Sequence, residues 1–217
     1  ESTMQNIADC FSAADVFLTF NERKKTISCP KKAYVPGGPL LETPEGCFLD
    51  LQVNARELLT RWCQMKVDEG AFFLYHPALG PVYEIIAQKM RRGHLAKGSE
   101  LQLQLADVDI EDIYVAGSLV IEADNIRTAH CTLHNVAVLN LGLDSENSFS
   151  LWRGDIPRRE SCRLFFEGEG EFFAQDVILP GDLTIIIPNG HKVTAVSGPD
   201  GTLLFEICPV SSSPLWN

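Results

Sequence analysis

The stretch LQLQLADVDIEDIYVAGSLVIEADNIRTAHCTLHNVAVL, residues 101–139, decides the fold of this chain. It carries four short apolar runs, and six more runs of the same kind follow it. The ten runs are Leu101–Leu105, Leu119–Ile121, Cys131–Leu133, Val136–Leu139, Arg163–Phe166, Glu171–Phe173, Val177–Leu179, Thr184–Ile187, His191–Val196 and Leu203–Ile207. Runs rich in Val, Ile, Leu, Phe and Thr that end in Gly, Asn, Asp or Pro are typical of short strands joined by tight turns. Such strands bury their apolar faces either as rungs of a parallel β-solenoid or in a sandwich, and both architectures remain open here.

The first hundred residues carry helical signals instead. In residues 48–63 the apolar side chains recur at three- and four-residue spacing after a turn at residues 43–46, which predicts a helix. The side chains that this helix is expected to bury are Leu51, Ala55, Leu58, Leu59 and Trp62. A second helix is predicted over residues 81–92, with a proline near its start and Gly93 just past its end.

Between the two helices, Ala71–Tyr75 reads as a short buried strand that runs into the turn HPALGP, where we expect His76 to be structural rather than catalytic. The chain therefore divides into an α/β part, residues 1–100, and a mainly β part, residues 101–217, which ends in a short tail. The predicted fold class is α+β to mainly β.

Composition excludes several classes of function. The chain has 217 residues, 45% of them apolar and 22% charged, which is ordinary for a globular protein. A formal net charge of −11 argues against nucleic acid as a partner, because both would be polyanions. No window approaches the roughly 18 apolar residues of a transmembrane segment, so none is expected. The first residue is Glu1 rather than Met, which suggests the C-terminal portion of a longer product.

No motif indicates a metal site. The seven cysteines are odd in number, widely spaced and without a CxxC pair, so we expect reduced thiols. Strand alternation puts His130 and His134 on one face and Cys131 on the other, which spoils a three-ligand site. The acidic cluster Asp107–Asp112 lacks the glycine and distal glutamate of a calcium loop and is expected to be a solvated strand edge.

Two groups of basic residues stand out in this acidic chain. The group Lys89, Arg91, Arg92 and Lys97 is expected to be solvated surface. A group at residues 23–32 is open between surface and an anion-binding patch.

Longer segments of the sequence resemble one family. These segments are FNERKKTIS (residues 20–28), KKAYVPGGPLLETPEGCFLDL (31–51), FLYHPALGP (73–81), GSELQLQLADVDIED (98–112) and GSLVIEADN (117–125). They resemble the C-terminal region of the plastid-type UDP-glucose pyrophosphorylases, the third, chloroplast form of that enzyme. The resemblance covers nearly the whole chain, with apparent shortenings after Cys63 and between Asn125 and Arg127.

The resemblance implies a uridylyltransferase in the chloroplast stroma that joins UTP and glucose 1-phosphate with Mg²⁺ and supplies sulfolipid synthesis. In the wider superfamily a Pro-x-Lys places its ammonium on the phosphates, and Pro30-Lys31-Lys32 is similar, so Lys32 is the candidate catalytic phosphate contact. The nucleotide loop of the family belongs to sequence N-terminal to Glu1. We therefore expect both substrates and Mg²⁺ to bind there, and this chain to hold no metal and to be inactive by itself.

The resemblance also implies an architecture. Residues 1–100 would complete the edge of a Rossmann-like nucleotidyltransferase core. Residues 101–217 would form the C-terminal parallel β-helix that relatives use for packing and oligomer contacts.

A different class of function remains open. The chain could be a non-catalytic β-solenoid scaffold docked on a larger plastid complex. Its contacts would be exposed rung edges and the tail Pro209–Asn217. An enzyme needs an upstream nucleotide loop, whereas a scaffold does not.

Overall fold

The computed structural model describes residues 11–12, 22, 25, 28–144 and 157–210, and in this part of the chain strands predominate over helices. The strands are β1 (Lys66–Val67), β2 (Phe72–Tyr75), β3 (Met90–Leu95), β4 (Glu100–Gln104), β5 (Asp107–Ala116), β6 (Ser118–Ala123), β7 (Ala129–His134), β8 (Ala137–Leu139), β9 (Cys162–Phe166), β10 (Gly170–Gln175), β11 (Ile178–Pro180), β12 (Leu183–Ile187), β13 (His191–Ser197) and β14 (Leu203–Pro209). Each of the ten predicted runs contributes to one of them, so the mainly β prediction is confirmed.

The strands form two parallel sheets. One follows the order β1-β3-β5-β7-β10-β13-β14, with β8 and β11 beside that path, and the other follows β2-β4-β6-β9-β12. Among the pairs formed by described strands, only β13 with β14 is antiparallel. In the pair of β4 with β6, Leu101 lies opposite Leu119 and Leu103 opposite Ile121, 18 positions further along the chain, whereas β3 and β5 are offset by 20 positions and β10 and β13 by 21.

The apolar core lies between the sheets. Alternate residues of each strand point inward, as in β5, where Val108 and Ile110 are buried while the acidic residues between them are not. The inward side chains of both sheets belong to one contiguous cluster, which includes Leu103, Leu133 and Phe172. Burial of one such side chain contributes about 1.5–3 kcal/mol.

Helix α1 (Pro44–Glu57) continues into a π-helical turn, Leu58–Trp62. The Thr43 hydroxyl accepts a hydrogen bond from the Gly46 N–H at 3.1 Å, and Pro44 occupies the first position, where its missing N–H costs nothing. The prediction is correct for Ala55, Leu58 and Leu59, which are buried, and wrong for Leu51 and Trp62, which are exposed.

The polar side chains of α1 explain that error. The Gln52 amide donates to the Phe73 carbonyl at 3.2 Å and accepts from the Phe73 N–H at 3.1 Å. Arg56 donates to the carbonyls of Val67 at 2.7 Å and Asp68 at 2.8 Å. The face of α1 that carries Gln52 and Arg56 therefore covers the free backbone of β1 and β2, and Leu51 points away from it.

Helix α2 (Tyr83–Lys89) ends before the predicted Arg92 because the chain continues directly into β3. Gly93 is therefore not a helix cap but lies within β3. Its φ is 121°, and a Cβ there would collide with the Ile113 carbonyl. The His76 ring accepts a hydrogen bond from the Ala78 N–H at 3.1 Å and caps the short 3₁₀ turn Pro77–Leu79, which confirms its structural role.

Strands on both sides of residue 100 pair with each other in the same sheets, for example β2 with β4 and β3 with β5. The division into parts 1–100 and 101–217 remains a prediction. None of the described helices has the length and apolar character needed to cross a bilayer.

Candidate functional site

Lys32, the lysine singled out by the sequence, lies on an exposed loop before helix α1. Its side chain is 66% exposed, and its Nζ lies 3.1 Å from Glu42 Oε2. The backbone N–H groups of Lys31 and Lys32 both donate to the Glu42 carbonyl, at 2.8 and 2.9 Å. Glu42 therefore fixes the loop and partly neutralises the ammonium at the same time.

A surface cavity adjoins this pair. It is lined by Ser28, Leu40, Leu41, Glu42, Gly46, Leu49, Asp50 and Val53. Half of the lining residues are leucine or valine, and the polar part includes a hydrogen bond of 2.7 Å from the Ser28 hydroxyl to Asp50 Oδ2. The described residues thus combine an apolar floor with two carboxylates, Glu42 and Asp50, and one paired lysine.

This arrangement limits what the described residues do by themselves. A phosphate group approaching Lys32 would have to replace Glu42 as its partner. No group of three or more His, Cys, Asp or Glu side chains able to hold a metal occurs in the described part of the chain. The phosphate contact of Lys32 stays a prediction, and Arg23 and Lys24 of the first basic group lie outside the described residues.

The two arginines of the second basic group pair with the acidic cluster. Arg91 lies 2.7 Å from Glu111, and Arg92 contacts Glu111 as well as Asp112, 3.0 Å away. The prediction that the cluster forms a strand edge is wrong, because β5 lies between β3 and β7. Its carboxylates are solvated and point outward, but from the interior of a sheet.

The outward histidines of β7 pair with the remaining acids of β5. His130 Nδ1 lies 2.9 Å from Asp107, and His134 Nε2 lies 3.0 Å from Asp109. Cys131 between them is fully buried, so the predicted alternation is correct.

Sequence reasoning misses a buried carboxylate in β4. The Glu100 side chain has 0% exposure, and Arg158 binds both of its oxygens, at 2.7 and 2.6 Å. The Ser118 hydroxyl donates to Glu100 at 2.5 Å, and the Gln102 amide donates as well. Burial would raise the pKa of Glu100, but the hydrogen bonds from Arg158 and Ser118 outweigh it and hold that pKa below its ordinary value.

This cluster anchors the segment that leads into β9. Asn140 strengthens it, accepting from the Ser118 N–H at 2.7 Å and donating to the Ser118 carbonyl at 2.9 Å. The local pattern gives no signal for this burial, because Glu100 alternates with the inward Leu101 and Leu103 and so lies on the same face as Gln102 and Gln104. Its role is structural, because every polar atom it offers is bound within the chain.

The cysteines of the described part are free thiols, as expected, and Cys10 lies outside that part. Burial raises the pKa of the Cys63 and Cys162 thiols to about 12. It raises the pKa of Cys131 still further. Cys208 is exposed.

Comparisons with known proteins agree on one kinship. The family model described as "UGP3-like, C-terminal hexapeptide repeats" matches residues 90–217. The chain is 35% identical, over 246 aligned residues, to a protein of Arabidopsis thaliana named UTP–glucose-1-phosphate uridylyltransferase 3, chloroplastic. The alignment covers 93% of this chain but only 28% of that relative. The alignment, at 246 residues, is longer than the chain of 217, so the relative carries additional residues within the aligned region, as the apparent shortenings suggest. No solved structure matches.

Proposed function

The chain belongs to the family of UGP3-like C-terminal hexapeptide-repeat domains, and from this premise we propose that it is the C-terminal portion of a chloroplast UDP-glucose pyrophosphorylase. The reaction would join UTP and glucose 1-phosphate to give UDP-glucose and pyrophosphate, supplying sulfolipid synthesis in the stroma. The observation that carries the proposal is the 35% identity to a chloroplastic uridylyltransferase across 93% of the chain.

The architecture that fits this proposal is a parallel β-helix. Parallel pairing in two sheets, and a register in which Leu101 meets Leu119 after 18 positions, support it. Eighteen positions equal three hexapeptides, the repeat named by the family model, and the offsets of 20 and 21 positions in other pairs exceed that length by two or three residues. Residues 1–100, which contain both helices, would complete the edge of a Rossmann-like core.

The family resemblance also suggests a division of labour. The nucleotide loop, Mg²⁺ and most substrate contacts would belong to a preceding segment, and this chain alone would be inactive. In the chain itself, the Lys32 ammonium is paired with Glu42. Lys32 would leave Glu42 and stabilise phosphate charge when that segment is in place.

The test is a chimera in which this chain follows the part of the Arabidopsis relative that precedes the aligned region. Pyrophosphate release from UTP and glucose 1-phosphate is measured with Mg²⁺. We expect activity from the chimera and none from residues 1–217 alone. Lys32→Ala should lower kcat/KM of the chimera about 100-fold, the usual cost of removing one group that stabilises transition-state charge.

Lys31→Ala is the matched control, because Lys31 shares the loop and donates its backbone N–H to the same carbonyl. It should leave kcat/KM within about twofold, since only Lys32 is proposed to reach the phosphates. Equal activity of the two variants would remove Lys32 from the site, and turnover by the chain alone would refute the division of labour.

The scaffold alternative is favoured by one observation, the exposed apolar strand β14. The mass of the natural protein separates the two functions. A species near 24.0 kDa that migrates with a large complex supports the scaffold, and a much larger species supports the enzyme.

A further inference from the structure

Strands β5, β8 and β11 carry a notch on their outward face. Tyr114 lies opposite Ala137, and Ala137 opposite Ile178, on three neighbouring strands. Tyr114 is 38% and Ile178 54% exposed, and the small side chain of Ala137 leaves a gap between them. The resulting cavity has a volume of about 240 Å³. Sites for drug-sized ligands have roughly 300–1,000 Å³, so this one suits a ligand of a single ring.

A polar ledge lies along one side of the notch. It consists of Asp112, Asn135 and Asp176, which line the cavity and precede the three outward side chains by two positions each. Each of them adopts a left-handed φ, between 51° and 55°. Neighbouring strands lie about 4.8 Å apart, so the three planar side chains stand in a row. A ligand in the notch therefore meets apolar side chains on its face and hydrogen-bonding groups along one edge.

The Tyr114 ring is supported on its other side. Its centroid lies 5.3 Å from that of His94 on strand β3, and His94 Nε2 lies 2.8 Å from Asp68 Oδ2. Because β3 and β8 flank β5, His94 occupies one side of the Tyr114 ring and the other side faces the notch. A ring held in this way is a preformed apolar wall, which lowers the entropic cost of binding.

The charges on the ledge select a ligand without a phosphate group. Arg92 donates to both oxygens of Asp112 at 3.0 Å. Asp176 instead accepts from two neutral amides, Asn135 at 2.7 Å and Gln175 at 3.1 Å, and these hydrogen bonds lower its pKa. It is therefore ionised at neutral pH, where its other lone pairs accept from hydroxyl groups in strong, charge-assisted hydrogen bonds. A phosphate group would be repelled there.

We propose that this notch binds the ring of a neutral saccharide. A sugar ring presents C–H groups on its face, which pack against Tyr114 and Ile178, and hydroxyl groups on its edge, which donate to Asn135 and Asp176. The notch shares no lining residue with the cavity beside Lys32. It does not depend on the catalytic assignment, and either proposal can fail without the other.

The test is a titration of the isotope-labelled chain, residues 1–217, with D-glucose, D-galactose and D-mannose, followed by amide NMR. We expect saturable shifts at Asn135, Ala137 and Ile178, with a millimolar Kd, for at least one of these sugars. The 1-phosphate of that sugar should bind to the notch at least about 10-fold more weakly, because its charge is repelled by Asp176.

Two variants test the gap and the ledge separately. Ala137→Ile fills the gap without removing a polar group and should abolish the saturable shifts. Ala116→Ile is its matched control, because Ala116 lies opposite Leu139 on the same outward face but does not line the cavity. It should leave the Kd unchanged. Asp176→Asn keeps the shape of the ledge, removes its charge and should raise the Kd about 10-fold.

Three results would overturn the proposal. The first is the absence of saturable shifts at the notch with all three sugars in the wild-type chain, a measurement that needs no variant. The second is an equal effect of the two isoleucine variants. The third is preference for another charge type: binding of the 1-phosphate as tightly as the neutral sugar would make the notch an anion site. Shifts with spermidine but with none of the sugars would make it a cation site.

Discussion

Replacing Arg158 by methionine should destabilise the chain by about 3 kcal/mol at pH 7.5. Breaking a buried ion pair by removing one partner costs about 3–5 kcal/mol, because an uncompensated charge is left behind. The Arg158 side chain is 26% exposed, and the Ser118 hydroxyl still donates to Glu100 in the variant, so the low end of that range applies. The measurement is the free energy of unfolding from urea titration.

The pH dependence distinguishes this mechanism from a simple loss of packing. In the wild type the pKa of Glu100 is lowered, so its contribution is present above the unfolded pKa and is lost as the pH falls through the folded value. Without Arg158, burial dominates and raises that pKa, so protonation relieves the buried charge. The cost of Arg158→Met should therefore be largest at pH 7.5 and shrink toward pH 5.

Arg159→Met is the control, since Arg159 pairs with Asp144 on the surface with its side chain 58% exposed. Such a pair contributes at most about 1 kcal/mol. The reasoning is refuted if the two variants are equally stable, or if the cost of Arg158→Met does not change between pH 7.5 and pH 5.

Two further outcomes follow from the packing. Gly93→Ala should cost about 3 kcal/mol or more in the free energy of unfolding, because φ is 121° and the new Cβ would lie 2.9 Å from the Ile113 nitrogen and closer still to its carbonyl oxygen. Gly190→Ala, with a φ of 74° in open space, should cost about 1 kcal/mol, and equal urea midpoints would contradict this account. Iodoacetamide at pH 8 should label Cys208 within minutes and Cys131 only after unfolding, because burial raises the pKa of Cys131 and blocks access. Peptide mass spectrometry checks the order, and early labelling of Cys131 would contradict its burial.

The strands are predictable from sequence because their signals are local. Runs such as Leu101–Leu105 alternate over a few residues and end at a turn, so each can be recognised without its neighbours. Strand β5 is not recognised in this way, because its buried side chains switch from even-numbered to odd-numbered positions at Asp112. That residue adopts a left-handed φ of 54°. Val108 and Ile110 precede that residue, and Ile113 and Val115 follow it, so one alternating pattern does not span the strand.

The features that escape prediction are contacts between distant residues. Glu100 and Arg158 are 58 positions apart, and the sequence around either residue does not predict contact with the other. Gln52 faces the sheet through its amide, whereas a pattern that counts apolar residues expects Leu51 there. At the candidate site, the resemblance selects Lys32 but does not predict its partner. Glu42, ten positions later, forms an ion pair with the Lys32 ammonium in this structure.

Gln52 and Arg56 of helix α1 bind the backbone of β1 and β2 and so cover one end of the two sheets. A stack of strands with bare edges at both ends could add copies at both and grow into a fibre. Here the amide and the guanidinium occupy backbone groups at the first end, whereas β12 and β14 are the last strands of the two sheets at the other. Removing α1 should therefore bare the edges of β1 and β2 and make the chain prone to aggregate end to end.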